Sequence, residues 1–257
     1  MLSNATIRDV LRMYCTGEIS EDEAASVIEG LRIEMVEGMA RIDTGRSVRC
    51  GMPEVVLAEG KEPAALAEIM LMQVASSGRC IATRVTPEQV EAVRARIPPD
   101  MAMEHRGAAR AIILSRGEKP ALRGGTVAIL TAGTSDIRVA EEARLIAEEM
   151  GCEVRTAYDV GVAGIHRLFS ALKDLIPADV FIVAAGREGT LPAIVSGLVD
   201  RPVIGVPVST GYGYMGQGEA ALASMLQSCS VLAVVNIDAG FTAGAFAAQV
   251  AHGGRKA

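Results

Sequence analysis

The sequence predicts an α/β protein: a C-terminal doubly wound parallel sheet in three layers, preceded by a smaller N-terminal α+β domain. Three observations lead there. From Gly124 onward, strand-length apolar runs alternate with helix-length amphipathic segments. The runs are largely apolar throughout, as strands buried on both faces are. The chain has 257 residues, 50% of them hydrophobic, which leaves room for a well-buried core in one large domain or two small ones.

In residues 1–120 the patterning is mixed. Ile7, Val10, Leu11 and Tyr14 space like one helix face, and Ser20-Glu21-Asp22-Glu23 is a capping-box start for a helix running to about Leu31. A dense polar stretch, Arg41–Glu54, precedes a strand at Val55–Ala58. Pro63 occupies a first-turn position of the next helix. Ile81–Arg84 reads as a short strand, and Pro87 starts another helix. The boundary falls in Ser115–Gly125, which is polar, Gly-rich and interrupted by Pro120, and gives domains 1–120 and 121–257.

The regular half pairs Thr126–Thr131 with helix Ile137–Met150, and Glu153–Ala157 with Gly164–Leu175. Asp179–Ala184 pairs with Gly189–Leu198, Pro202–Val206 with Gly216–Leu226, and Val231–Val235 with Gly240–Val250. Right-handed crossovers set the post-strand loops along one edge. Ligands in such sheets bind beyond the carboxyl ends of the strands, near a topological switch point. Function is expected in those loops.

Composition narrows the partners. A net charge of −6 without a dense Lys/Arg block argues against nucleic acid. Met1–Val10 lacks the apolar region of a secretory signal, and apolar runs such as Val231–Val235 fall far short of a membrane span. The 5 cysteines lack any C-x-x-C spacing, which fits a reducing compartment without structural zinc. The expectation is a cytoplasmic protein acting on a small molecule, with metal ligands unknown.

Ala132-Gly133-Thr134-Ser135-Asp136 follows the first strand of this half and leads straight into a helix. Gly133 permits close backbone approach, Thr134 and Ser135 supply hydroxyls, and the helix start offers free N–H groups. Asp136 disfavours phosphate there and suits a ribose hydroxyl or a protonated ring atom; alternatively, Ser135 or Asp136 simply caps the helix. After the third strand, Gly186-Arg187-Glu188-Gly189-Thr190-Leu191 sets a cation beside a carboxylate between glycines. Arg187 is suited to gripping a phosphate, and Glu188 to binding a metal or moving a proton. The competing reading is a solvated salt-bridge turn. Val206–Gly218 follows the fourth strand, holding Ser209, Thr210 and two of the chain's 4 tyrosines, at a length typical of ligand-covering lids. The fifth strand ends near Asp238, placed to hold a ribose or a cationic centre.

Cys229 lies between the fourth helix and the fifth strand, on the edge opposite these loops. The preceding helix C-terminus would raise its pKa, which is the setting of an inert packing thiol. To act, it must be brought to the loops by a neighbouring subunit or a chain reversal.

Taken together, Ala132–Asp136, Val160–Arg167, Gly186–Pro192, Arg201–Pro207, Cys229 and Val235–Phe241 resemble the LarB family of pyridinium-3,5-biscarboxylic acid mononucleotide synthases. Asp43–Arg46, Arg49–Glu54 and Ala82–Arg84 extend the resemblance over nearly the whole chain. Its C-terminal domain is similar to carboxyaminoimidazole ribonucleotide mutase (PurE), a flavodoxin-like fold. The resemblance implies carboxylation of the pyridinium ring of nicotinic acid adenine dinucleotide by carbon dioxide or bicarbonate. Phosphoanhydride hydrolysis then releases AMP, and the product begins a nickel-pincer nucleotide cofactor. It implies Cys229 as the thiolate that adds to the ring; that chemistry needs a general base for the ring proton, for which Glu188 or Asp136 is suited and His166 less so. Arg187, Arg46, Arg49 or a divalent ion such as Mg2+ would neutralise phosphate, and an octamer is the implied homo-oligomer. Two positions depart from the pattern: Arg187, where an apolar residue is expected, and Thr44-Gly45, where a more basic segment is. The rival readings are a ribonucleotide mutase or carboxylase of purine biosynthesis and a non-catalytic nucleotide-binding regulator.

Overall fold

The structure is a computed structural model that describes residues 7–30, 34–36, 40–43, 45–46 and 51–253. The chain divides into two compact units, Met1–His105 with Ala111–Glu118, and Arg106–Arg110 with Lys119–Ala257. Among the described residues no helix is long and apolar enough to cross a membrane.

The first unit runs α1 (Ile7–Cys15), α2 (Glu21–Gly30), β1 (Glu34–Val36), β2 (Ala40–Ile42), β3 (Val55–Leu57), α3 (Pro63–Ser77), β4 (Arg79–Thr83), α4 (Pro87–Arg94), β5 (Ala102–Arg106) and β6 (Ala111–Ser115). The Ser20–Glu23 capping box forms: the Ser20 N–H donates to Glu23 Oε2 at 2.8 Å and the Glu23 N–H to Ser20 Oγ at 3.2 Å. Strands β1 and β2 pair antiparallel, and a four-stranded sheet has the order β3-β4-β6-β5. Leu66, Met70 and Val74 of α3 pack with Ala82, Ile112 and Leu114 to form its core. Strands β1, β2, β5 and β6 are absent from the sequence expectation. Strand β5 sits at a sheet edge, where its mixed Ala-Met-Glu-His-Arg pattern gives no clean alternation. Strand β2 takes in Arg41 and Ile42, the start of the dense polar stretch.

The second unit runs β7 (Thr126–Thr131), α5 (Ile137–Glu149), β8 (Glu153–Ala157), α6 (Ile165–Leu175), β9 (Val180–Ala185), α7 (Leu191–Ser196), β10 (Val203–Pro207), α8 (Glu219–Leu226), β11 (Ala233–Val234) and α9 (Gly240–Gly253). Its sheet is parallel throughout, in the order β11-β10-β9-β7-β8. Strands β7, β9 and β10 are buried along their whole length, as continuous apolar runs in a covered sheet must be. The edges differ. Strand β8 is partly exposed, and β11 shrinks to two residues because Val231, expected to open it, stands 92% exposed. Leu168, Leu172, Leu191, Val195, Ala221 and Met225 from α6, α7 and α8 cover one face against Leu130, Phe181 and Val183. Helices α5 and α9 lie against the sheet and against each other. The chain leaves β7 for β8 on one side and returns to β9 on the other, so the switch point lies between β7 and β9.

Helices α5 and α9 touch through glycine. A Cβ on Gly240 would stand 2.4 Å from the Val139 carbonyl oxygen, and one on Gly244 would stand 2.4 Å from that of Ala143. Replacing an unhindered helical glycine by alanine stabilises by about 1 kcal/mol. Gly244→Ala should do the reverse, lowering the unfolding free energy in urea by about 1–3 kcal/mol, because backbone cannot yield as a flexible side chain does. A stabilised variant would mean that the two helices have slack between them.

Candidate active site

Beyond the carboxyl ends of β7, β8, β9 and β10, the post-strand loops enclose a cavity of about 510 Å³. Gly133, Ser135 and Asp136 come from the β7 loop, and Gly161, Val162, Ala163 and Arg167 follow β8. Gly186, Arg187, Glu188, Gly189, Thr190 and Leu191 follow β9, and Thr210 and Tyr212 follow β10. The crevice opens at the β7/β9 switch point, where neighbouring strands send their loops apart.

Asp136 ties these loops together. It is only 4% exposed. Its Oδ2 accepts the Gly133 N–H at 2.8 Å, its Oδ1 accepts the Thr210 hydroxyl at 3.4 Å, and the Gly186 N–H also donates to it. The carboxylate gives α5 itself no side-chain cap, but its bond from the Gly133 N–H caps the short 3₁₀ turn Thr134–Asp136 that leads into α5, so the capping reading holds in part. Burial pushes the Asp136 carboxyl above its ordinary pKa; the three donors pull the other way, and the nearby Asp238 charge adds to the rise.

The β9 loop turns tightly. The Gly189 N–H donates to the Gly186 carbonyl at 2.9 Å, and Gly189 has φ 64°. A Cβ there would stand 2.6 Å from the Ala221 carbonyl oxygen, so both conformation and space require glycine. Arg187 and Glu188, between those glycines, do not form the salt-bridge turn. The Arg187 guanidinium lies over the Tyr212 ring, 4.4 Å from its centroid. Glu188 is exposed on the cavity wall without a hydrogen-bond or ion-pair partner among the described residues. A carboxylate with free oxygens beside a cavity can take a proton from a bound molecule.

Other candidates lie off the wall. The Ser209 N–H donates to Asp238 Oδ1 at 3.0 Å and the Ser209 hydroxyl to Oδ2 at 2.5 Å, with Arg138 Nη2 at 3.5 Å from that oxygen. This network braces the start of the β10 loop. Thr134 is also outside the lining. His166 is exposed and off the wall while its neighbour Arg167 lines it, because successive helical residues point about 100° apart. Arg167 pairs with Asp159 at 2.5 Å. Arg46 belongs to the first unit, where it pairs with Glu54 at 3.2 Å, and Arg49 lies outside the described residues.

Cys229 is a free, exposed thiol at the amino end of β11, and it does not line the cavity. The Ser230 hydroxyl donates to the Ala193 carbonyl at 3.1 Å, holding this segment against α7. Leu226 and Val231 on either side are 66% and 92% exposed. Cys80, by contrast, is buried, and burial pushes its thiol pKa up.

Sequence reasoning does not select Tyr212, Arg167 or the Gly161–Ala163 wall. The post-strand rule already covered the β8 loop, and Tyr212 was visible as an aromatic on a Gly-rich segment of an aromatic-poor chain. Among the described residues no group of three or more His, Cys, Asp or Glu side chains is placed to hold a metal ion. Donors already engage Asp136, so Glu188 is the open carboxylate of this wall, and a divalent ion held there would take its remaining ligands from substrate phosphate and water.

A parallel sheet with its cavity at the switch point, walled by a buried carboxylate, a free carboxylate and a stacked guanidinium, has the arrangement of an α/β enzyme domain. Comparison with known proteins places it further. A family described as LarB/PurE-like N-terminal domain matches residues 33–116, and one described as AIR carboxylase matches 126–256. The chain belongs to the LarB family, in which these two domains follow one another. An uncharacterized protein of Methanocaldococcus jannaschii is 43% identical over 254 residues, covering 95% of this chain and 96% of that protein. A probable N5-carboxyaminoimidazole ribonucleotide mutase of Methanothermobacter thermautotrophicus is 36% identical over 48% of this chain and 37% of its own length. An N5-carboxyaminoimidazole ribonucleotide mutase of Methanocaldococcus jannaschii is 33% identical over 48% of this chain and 77% of its own. These relationships support an enzyme of the carboxylase or mutase type.

Proposed function

We propose that the protein carboxylates the pyridinium ring of nicotinic acid adenine dinucleotide and hydrolyses its phosphoanhydride, yielding AMP and pyridinium-3,5-biscarboxylic acid mononucleotide. One observation carries this reading. The LarB/PurE-like domain and the AIR carboxylase domain stand in series, whereas the two mutases above align with less than half of the chain.

A cationic pyridinium is too electron-poor to attack carbon dioxide. Addition of a thiolate to a ring carbon gives a neutral dihydropyridine, whose enamine carbon forms the new C–C bond. A base removes the proton from that carbon, and expulsion of the thiolate restores the aromatic cation. Glu188 is the base, since it borders the cavity with unengaged oxygens, while both oxygens of Asp136 are bound by protein donors. Arg187 leaves Tyr212 to meet the phosphates, where a guanidinium stabilises the charge that builds as water attacks phosphorus and AMP departs. Cys229 supplies the thiolate to the cavity of another copy in a homo-oligomer. Its exposure between the exposed Leu226 and Val231 suits an apolar contact of that kind.

The test is to incubate the protein with nicotinic acid adenine dinucleotide and bicarbonate, following AMP by chromatography and the product by mass. A gain of one carboxyl group with stoichiometric AMP is expected. Turnover of N5-carboxyaminoimidazole ribonucleotide without any pyridinium product would favour the mutase reading.

A further inference from the structure

We propose that a second cavity, beside the first, binds the purine base of the dinucleotide against Tyr214, so that the Gly211–Gly218 loop is a specificity element for the adenylate half. The proposal rests on the function proposed above for the identity of the substrate. This cavity, about 350 Å³, is walled by Tyr212, Tyr214, Met215 and the loop glycines. It shares Arg187, Glu188 and Tyr212 with the first. A dinucleotide is two ring-bearing halves joined by an anhydride, and here two cavities meet at a guanidinium.

The loop also exposes what a base requires. Tyr212, Tyr214 and Met215 are 76%, 95% and 42% exposed, grouped on one short segment of a chain with only 4 tyrosines and no tryptophan. Such an exposed apolar group marks a binding surface. The segment is shaped, not slack: the Gln217 N–H donates to the Gly211 carbonyl at 3.2 Å and the Ala220 N–H to the Met215 carbonyl at 3.1 Å. Met215 and Gln217 hold left-handed backbone at φ 52° and 57°, a cost that persists only where surrounding bonds impose it. Aromatic faces held this way stack with a planar base at little further entropic cost.

The experiment titrates the full chain by calorimetry with AMP, ribose 5-phosphate and nicotinic acid mononucleotide. AMP should bind more tightly than ribose 5-phosphate. Tyr214→Ala should weaken AMP by about tenfold or more, as loss of a stacking partner does, and Tyr214→Phe should retain it. Affinity for nicotinic acid mononucleotide should hold in both variants. Absence of AMP binding, equal weakening of both mononucleotides in Tyr214→Ala, or a change in assembly by light scattering with AMP affinity intact would each overturn the proposal. The two readings separate cleanly. Tyr214-dependent AMP binding without pyridinium carboxylation keeps the purine subsite and removes the reaction. Carboxylation with Tyr214-independent AMP binding does the opposite.

Discussion

Glu188→Gln and Cys229→Ala should each abolish carboxylation, and a reassembled equimolar mixture of the two should recover about a quarter of wild-type activity, as sites shared across copies predict. Glu188 borders the cavity with free oxygens, so the amide keeps its shape and loses only the proton acceptor, a loss of about 10²–10⁴-fold. Cys229 is exposed, so its truncation leaves the core intact and removes only the nucleophile. Both variants should therefore unfold at the wild-type temperature, which separates chemistry from stability. Recovery on mixing follows from Cys229 lying at the amino end of β11 while the cavity lies beyond the carboxyl ends of its neighbours. If one chain supplied both groups, each variant would carry a dead site and mixing would restore nothing. No recovery would sink the shared site, and a fully active Cys229→Ala would remove the covalent step.

The sheet was legible because its strands are buried on both faces. Runs such as Val180–Ala185 have no solvent side on which polar residues could interrupt them. Edges were less legible: β8 carries Glu153 and Arg155, β11 stops after two residues, and β5 has no periodic pattern. The cavity wall was legible at Gly133, Asp136 and Gly186–Leu191 because the crossover rule forces loops after parallel strands onto one edge. What spacing along the chain does not encode is how a loop's side chains divide among partners. Ser209 and Thr210 are neighbours, yet one bonds Asp238 behind the wall and the other bonds Asp136 within it. Arg187 and Glu188 look like a pair in sequence, and the Tyr212 ring separates their roles.

Asp136→Ala should cost about 1–2 kcal/mol of stability and about a hundredfold in turnover. The first figure comes from stranding the Gly133 and Gly186 N–H groups, softened because both glycines border a cavity that water can enter. The second comes from the drift of loops that this carboxylate holds in register, since small misplacements of reacting groups carry penalties of about that size. Asp136→Asn separates charge from shape. Burial raises the Asp136 pKa in the folded chain above its unfolded value of about 3.9. The stability linked to its protonation is therefore full below the unfolded pKa and lost as pH rises through the folded one. Asparagine has no such loss. In urea unfolding from acid to neutral pH, the difference between the two proteins should shift toward Asp136→Asn as pH rises through the carboxylate range and then level off. A constant difference would mean that the donors from Gly133, Thr210 and Gly186 balance burial, and one moving toward the wild type would mean that they outweigh it. Asp136 would then sit in the cavity floor as a carboxylate stabilised by folding.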